Sequence, residues 1–316
     1  MHDRRRLTAD LMLLAAALAW GSTFVPCKIA TAHVGPLVFN GLRFLMGAFF
    51  VFVWTARRLR GLARREVGGG ILAGTVLFVA AALQQAGLEF TTAGKAGFIT
   101  GLYVVLVPFF MTVMRQWPGW NAWIASALAA TGLFLLSGEG QLTLAPGDGM
   151  VLAAAALYAV HVILIGRLVQ QADPLRLSLI QYIACGTLNL GFGLTTEPVS
   201  ESALLPIWWT FLYTAFFSIV VGYTFQSLAQ RYAPPTDAAV ILSLESVFAA
   251  VFGGLWLGER LSLLQVIGSG LMLAGMVLAQ VRVRWPGERV ASPAEVPLSN
   301  PKVCRKRVNG WPTNHS

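Results

Sequence analysis

Apolar runs, each about as long as a helix that crosses a bilayer, follow one another along the chain with the charge pushed into the gaps between them. Ten can be marked, at 8–28, 36–56, 69–88, 94–114, 119–138, 148–168, 174–194, 206–228, 236–257 and 263–283. Lipid offers the backbone no hydrogen bonds, so a crossing segment must satisfy its own, and a helix does this with roughly 20 mostly apolar residues. Charged residues fill 12% of the 316 positions, about half of the roughly 25% usual in soluble domains. The expected fold is therefore an all-α polytopic membrane protein with ten transmembrane helices. The first run follows Arg4, Arg5 and Arg6 and has the look of a signal peptide, but nine later spans favour a retained first helix.

The formal charge of +9 raises the question of a nucleic-acid partner. Such a partner calls for a basic face on a soluble domain, whereas these cations sit at the ends of apolar runs. The bilayer is the expected partner and nucleic acid is excluded. Lys and Arg concentrate on the cytoplasmic side of membrane proteins. With both termini inside, all but four of the 23 basic residues (Lys28, Arg43, Lys95 and Arg260) fall in cytoplasmic segments. The segments 139–148 and 195–205 hold no basic residue, and both fall outside. The predicted layout is a multi-pass membrane protein with N- and C-termini cytoplasmic; the bacterial inner membrane as its location is what the family resemblance given below implies. The last residues, 285–316, have no apolar period and are expected to form a disordered cytoplasmic tail.

No catalytic or cofactor signature is present. HExxH, GxSxG and the phosphate-cradling GxxxxGK[ST] are all missing, so an enzyme, a metal site and direct drive by ATP are not expected. The three cysteines, Cys27, Cys185 and Cys304, make no CxxC pair and read as small core residues.

The chain also repeats itself. Residues 10–20 (DLMLLAAALAW) match 148–158 (DGMVLAAAALY) at six of eleven positions, an offset of 138. Residues 84–108 match 226–250 at five of 25 positions, offset 142, and 124–133 match 267–276 at four of ten, offset 143. Separate chance matches would not hold so steady an offset. Five helices per copy is an odd number, so the second copy is mounted upside down. The expected organisation is two inverted five-helix repeats, 1–140 and 141–284. Inverted repeats are a hallmark of secondary transporters, whose substrate site lies near the midplane between the copies.

Polar residues inside the spans are the candidate site, because an ionisable group in hydrocarbon is costly unless it meets a cavity or a partner. Arg43 lies in the second span and Glu245 near mid-depth in the ninth. The repeat pairs Trp20 with Tyr158, Thr23 with His161, Arg43 with Gln181, Gln84 with Gln226, and Tyr103 with Glu245. Trp20 and Thr23 are three apart and share a helix face, as do Tyr158 and His161. All ten are expected to line a substrate cavity, with Glu245 and His161 as the groups able to carry a coupled proton. Taken singly, each has a plain packing role; five matched polar or aromatic pairs are harder to assign to packing. Pro108 is expected to bend the fourth helix. Gly68–Gly70, Gly94, Gly97, Gly101, Gly253, Gly254, Gly268 and Gly270 mark expected close helix contacts.

Several of these pieces together resemble the EamA-type transporters of the drug/metabolite transporter superfamily. They are Ala19-Trp20-Gly21-Ser22-Thr23-Phe24, Pro36 with Arg43-Phe44, and TTAGKAGFITGLYVVLVP at 91–108. In the second half they are Leu244-Glu245, Leu257-Gly258-Glu259-Arg260-Leu261, and Ile267-Gly268 with Gly275. The resemblance implies a ten-helix inverted-repeat carrier of the inner membrane, with the Trp20 motif and Glu245 at its cavity and Gly258-Glu259-Arg260 at a helix end. It also implies export of amino acids, other small metabolites or toxic compounds by alternating access. Two departures stand out. Ser246 occupies the place of the proline usual in that family, and Arg115-Gln116-Trp117-Pro118 that of its Glu-Arg pair. A passive pore or facilitator remains an alternative, as does an exchanger for phosphorylated or nucleotide sugars. With one midspan cation, Arg43, the exchanger is disfavoured, since phosphate recognition calls for several. No cofactor is expected; the partners are a small-molecule substrate and the lipid, with the chain acting as a monomer or a homodimer.

Overall fold

The computed structural model describes residues 2–56, 61–91, 93–136, 145–257 and 262–280. The expected tail at 285–316, most of the segment 139–148 and the Gly258-Glu259-Arg260 motif lie outside the described residues. Among the described residues every regular element is a helix. In order these are α1 (His2–Thr31), α2 (Pro36–Thr55), α3 (Arg64–Glu89), α4 (Ala93–Gly101), α5 (Tyr103–Val113), α6 (Trp120–Leu136), α7 (Asp148–Leu168) and α8 (Pro174–Thr196). A short α9 (Glu201–Leu204), a 3₁₀ turn (Leu205–Ile207), α10 (Trp208–Thr214), a π-helical stretch (Ala215–Tyr223) and α11 (Thr224–Ala229) follow as one rod. The last are α12 (Pro235–Leu242), α13 (Glu245–Leu257) and α14 (Leu263–Gln280).

Among the described residues, each of the ten apolar runs falls mostly on helix. Eight helical stretches among the described residues are long and apolar enough to cross a membrane, while Trp120–Leu135 and Leu263–Ala279 are apolar but shorter. The outer surface suits lipid: Val53, Leu205, Leu255 and Leu263 are all exposed, Leu263 at 76%. Exposed tryptophans gather near helix ends, at Trp54, Trp117, Trp120 and Trp208, where their amphipathic rings meet the headgroups.

Helix ends are held by carboxylates, some from the same helix and some from a neighbour. Glu197, just past α8, accepts from the backbone N–H groups of Leu37 and Val38 at 2.9 and 2.8 Å. It thereby supplies α2 with the cap and the negative charge that favour a helix N-terminus. Glu66 reaches back to the Ala63 N–H at 3.0 Å and pairs with Arg176 at 3.2 Å. That bridge ties the start of α3 to the start of α8. Asp173 caps α8 by accepting from Leu175 and Arg176, ahead of Pro174 in the first turn.

Packing runs mostly between the two halves of the chain. α2 lies along α8, α3 against α7 and α8, and α6 along α14. α1 packs on α13, on the π-helical stretch and on α11, while α7 packs on α4 and α5. Close crossings depend on missing side chains. A Cβ at Gly147 would stand 2.1 Å from the Gly87 carbonyl oxygen, so α3 and α7 touch backbone to backbone there. Gly70, Gly97 and Gly101 do sit against neighbours, as expected. Gly68, Gly94 and Gly270 instead face open space, because helical periodicity alone does not tell which face meets a partner.

Three of the expected spans are interrupted. The fourth is interrupted at Leu102, between α4 and α5, about a turn and a half upstream of Pro108, which lies inside α5. The ninth breaks at Ser243–Leu244, directly before Glu245. Here Ser246 does what no proline is present to do: its Oγ donates to the Gly97 carbonyl at 2.9 Å and pins the start of α13 to α4. The eighth span contains the π-helical stretch, a geometry often found at functional positions.

Candidate functional site

A cavity of about 630 Å³, its open mouth included, lies among α1, α2, α3, α7, the π-helical stretch and both broken rods. Nine of the ten residues singled out in the sequence line it: Trp20, Thr23, Arg43, Gln84, Tyr103, Tyr158, His161, Gln226 and Glu245. Gln181 is the exception. It is fully buried behind His161, its Oε1 accepting from the imidazole Nε2 at 2.9 Å. Helix α8 turns that face toward α3 and α7, so Gln181 orients a lining residue and does not itself reach the cavity.

Each lining residue has a local reason for its place. The Trp20 indole donates to the Ser218 carbonyl at 3.0 Å. The π-helical turn carries that carbonyl, and Gly222 leaves the room, since a Cβ there would meet Trp20 Nε1 at 2.2 Å. Gly21, next to Trp20, lies against the Glu245 backbone, bringing α1 onto the break between α12 and α13. Thr23 spends its hydroxyl proton on the Trp20 carbonyl at 2.8 Å and can only accept from the cavity. Tyr158 donates to Gln84 Oε1, and Gln84 Nε2 donates to Thr100, both at 2.9 Å.

The two twin glutamines differ. Gln84 is satisfied on both sides, whereas Gln226 is buried with neither its oxygen nor its nitrogen partnered. Glu245 and the Tyr103 hydroxyl are beside each other in the cavity wall, and Glu245 Oε1 and the phenol oxygen are both buried without a well-formed hydrogen bond. Tyr103 and Glu245 occupy matching positions, each opening the second half of a broken rod. Buried unpaired polar atoms are uncommon and point to water or a ligand.

Arg43 is 4% exposed. Its Nε donates to Asn40 Oδ1 at 2.9 Å and its Nη1 to Cys27 Sγ at 3.3 Å. The Phe39 and Phe44 rings lie 5.3 and 5.4 Å from its carbon centre. Asn40 in turn donates to the Ala81 carbonyl of α3. Cys27 and Cys185 are buried and unbridged, as read from the sequence.

Tyr223 went unnoticed in the sequence. Its ring contacts Trp20 at 4.8 Å, Phe44 at 5.8 Å and His161 at 6.0 Å. A signal was available: Tyr223 sits three residues before Gln226 and shares its face. Thr100, Gln85 and Ser218 also line the cavity. Gln85 carries no such signal, since it lies on the next face round from Gln84.

Two ionic clusters bracket the cavity. In one, Arg6 bridges Asp10 of its own helix and Asp237 of α12. In the other, Lys95 of α4 pairs with Asp148 of α7 at 2.6 Å, and Thr91 donates to the same carboxylate at 2.9 Å. Lys28, at the far end of α1, holds the Leu88 and Thr91 carbonyls beside this second cluster. Arg6 and Lys28 are thus about 33 Å apart along one helix at 1.5 Å per residue, roughly the thickness of a hydrocarbon core. Trp20, Thr23 and Cys27 lie between them. Among the described residues no group of three or more His, Cys, Asp or Glu side chains could hold a metal.

The model of the EamA-like transporter family matches the chain twice, over residues 7–138 and 145–280. An uncharacterized transporter of Archaeoglobus fulgidus is 34% identical over 283 residues, covering 88% of both chains. A probable amino-acid metabolite efflux pump of Salmonella typhimurium is 27% identical, over 84% of this chain and 93% of that one. Its counterpart in Escherichia coli is 26% identical, over 87% and 95%. A solved crystal structure shares the fold with a TM-score of 0.70 at 17% identity, over 86% of this chain and 96% of that one.

Proposed function

Because the chain belongs to the EamA-like transporter family, we propose that it is a secondary active carrier exporting small metabolites, amino acids or toxic compounds across the bacterial inner membrane by alternating access. It is a multi-pass membrane protein of a transporter family, not of an enzyme family. The observation that carries the finer reading is the cavity itself. Four complete repeat-related pairs converge on one space: Trp20 with Tyr158, Thr23 with His161, Gln84 with Gln226, and Tyr103 with Glu245.

The reading takes the ten helical rods as two inverted five-helix units, 1–140 and 141–284. The double match of the family model supports the two units. The packing supports their relation, because contacts come in exchanged pairs. α1 on α13 answers α7 on α4 and α5, and α3 on α7 answers α11 and the π-helical stretch on α1. The broken rods at Tyr103 and Glu245 support a midplane site, since interrupted helices form such sites in transporters.

Alternating access needs a closure at each end, and the two ionic clusters suit that role. Under the repeat, Asp10 corresponds to Asp148 and Asp237 to Lys95. Lys95–Asp148 draws α4 onto α7, and Arg6 draws α12 onto α1 by bridging two acids. Each closure in turn would open as the halves rock. By the basic-residue asymmetry the Arg6 end is cytoplasmic, as are both termini. Glu245 is the first candidate for proton coupling and His161 the second.

The test is uptake into proteoliposomes holding the purified chain, with an imposed proton gradient and a panel of amino acids and toxic analogues. Saturable, gradient-driven accumulation is expected, and Glu245→Gln is expected to remove its dependence on the gradient. Flux that never saturates and never runs uphill would point to a passive pore.

A further inference from the structure

Between α8, α11 and α7 runs a seam of buried polar atoms that leads away from the cavity. Among the described residues, six of the twelve buried side-chain polar atoms without a well-formed hydrogen bond belong to five residues there. They are Ser178 and Gln181 of α8, with Gln226, Ser227 and Gln230 at the end of the α11 rod, all 0–1% exposed. Each such atom left dry is costly, so their gathering in one seam asks for an occupant. Tyr182 and Thr224 join α8 to α11, hydroxyl to hydroxyl, at 3.0 Å. The two rods run antiparallel, so Ser178, a turn before Tyr182, falls level with Ser227, a turn after Thr224. Ser178 and Gln181 also lie beside the Tyr182 hydroxyl. On the third side α7 stands off. Its close packing is on α3, α4, α5 and α12, and it meets α8 and the end of α11 through long side chains. His161 Nε2 donates to Gln181 Oε1 at 2.9 Å, and Gln230 Nε2 to the Val162 carbonyl at 2.8 Å. Helices bridged in this way leave room between them that close-packed helices do not. The seam has two ends. Gln226, His161 and Val162 are in the cavity wall. At the other end the exposed Gln170 donates to the Gln230 carbonyl at 3.2 Å, next to Arg231 on the side that the basic residues mark as cytoplasmic. The Arg6 cluster draws α12 onto α1, so the seam passes beside that closure and not through it.

We propose that a file of bound waters fills this seam and gives protons a way from the cytoplasmic end into the cavity, separate from the way the solute takes. This rests on the carrier reading above and supplies the route for its coupled proton. The chemistry of the six atoms selects water. Two are amide nitrogens that donate, two are amide oxygens that accept, and two are serine hydroxyls that do either. A bound cation would suit the oxygens but face the N–H groups of Gln181 and Gln226, whereas water satisfies all six. A proton entering at Gln230 makes a new O–H bond on the first water while that water releases another proton to the next. The last proton leaves the file beside Gln226 and His161, and the waters stay behind reoriented. Neutral amides and hydroxyls hold the file in line without trapping the charge.

The waters are tested on the full chain in detergent by X-ray radiolysis, which turns bound water into hydroxyl radicals that oxidise the side chains beside it. Tyr182 is fully buried, as is Met272 in an apolar cluster. Tyr182 is expected to oxidise several-fold faster than Met272, each rate taken relative to the unfolded chain. Ser227→Val is expected to lower the Tyr182 rate toward that of Met272. Ser227→Thr, of equal size but with its hydroxyl, is expected to keep it. Tyr182 as protected as Met272 in the unaltered protein would overturn the file. The proton route is tested in proteoliposomes with leucine, threonine and the toxic analogues of the carrier test. Ser227→Val is expected to slow gradient-driven uptake several-fold and to leave exchange at equal pH on both sides unchanged. Slowing of both, or of neither, would overturn the route with the carrier left standing. Flux of none of these solutes would overturn the carrier and the route together, and the radiolysis would still decide the waters.

Discussion

At the scale of single residues, the cavity is assembled from side chains whose places are set by what is absent beside them. Gly222 is the clearest case, since any side chain there collides with Trp20 Nε1. Gly222→Val is expected to expel the indole from the Ser218 carbonyl, shift the tryptophan fluorescence and abolish transport, while Gly270→Val, in open space, is expected to change neither. Tyr223 is the ring on which Trp20, Phe44 and His161 converge. Tyr223→Phe keeps that packing. Tyr223→Ala is expected to lower stability by about 3–5 kcal/mol, the usual loss for a large buried ring, read as the midpoint of thermal unfolding in detergent. Trp20, Thr23, Tyr158 and His161 were legible in the sequence, because three-residue spacing puts each pair on one helix face. Gln181 was misread for a related reason. Its register in α8 was clear, but which neighbour that face would meet depends on how α8 packs, and it meets His161.

At the scale of helices, the breaks matter more than the spans. The chain is interrupted at Leu102 and at Ser243–Leu244, and neither interruption sits on a proline. Pro108 lies inside α5, past the interruption at Leu102, so the proline and the interruption do not coincide along the chain. At the second break the Ser246 hydroxyl holds the start of α13 to α4. Ser246→Ala removes its bond to the Gly97 carbonyl and is expected to cost about 1 kcal/mol, measured by thermal unfolding. The ionic closures can be tested with a native reporter. Cys27 lines the cavity, while Cys185 is fully buried. In a Cys304→Ser background, Lys95→Gln is expected to raise the rate at which N-ethylmaleimide modifies Cys27. The exchanged pair Lys95→Asp with Asp148→Lys is expected to bring that rate back down. A rate unchanged in Lys95→Gln would mean that the Lys95–Asp148 contact does not gate the cavity.

At the scale of the whole molecule, the two stretches that match the family model, 7–138 and 145–280, enclose one space. The twin positions carry Tyr103 and Glu245, Arg43 and Gln181, Lys95 and Asp237. Reporter fusions at the two ends are expected to read the same side of the membrane, since an even number of crossings returns the chain to where it began. What the sequence alone determined was the helical membrane-spanning class, the position of each apolar run, the internal repeat and the pairs it defines. These are sums over neighbours along the chain: the transfer of apolar residues into lipid and the spacing of one helix face. Only the tertiary structure decided where the rods break, that Gln181 stands behind His161, that Tyr223 joins the cavity, and that Arg43 and Glu245 share a space without touching. Those outcomes depend on contacts between helices far apart in the chain, whose energies no local pattern of residues contains.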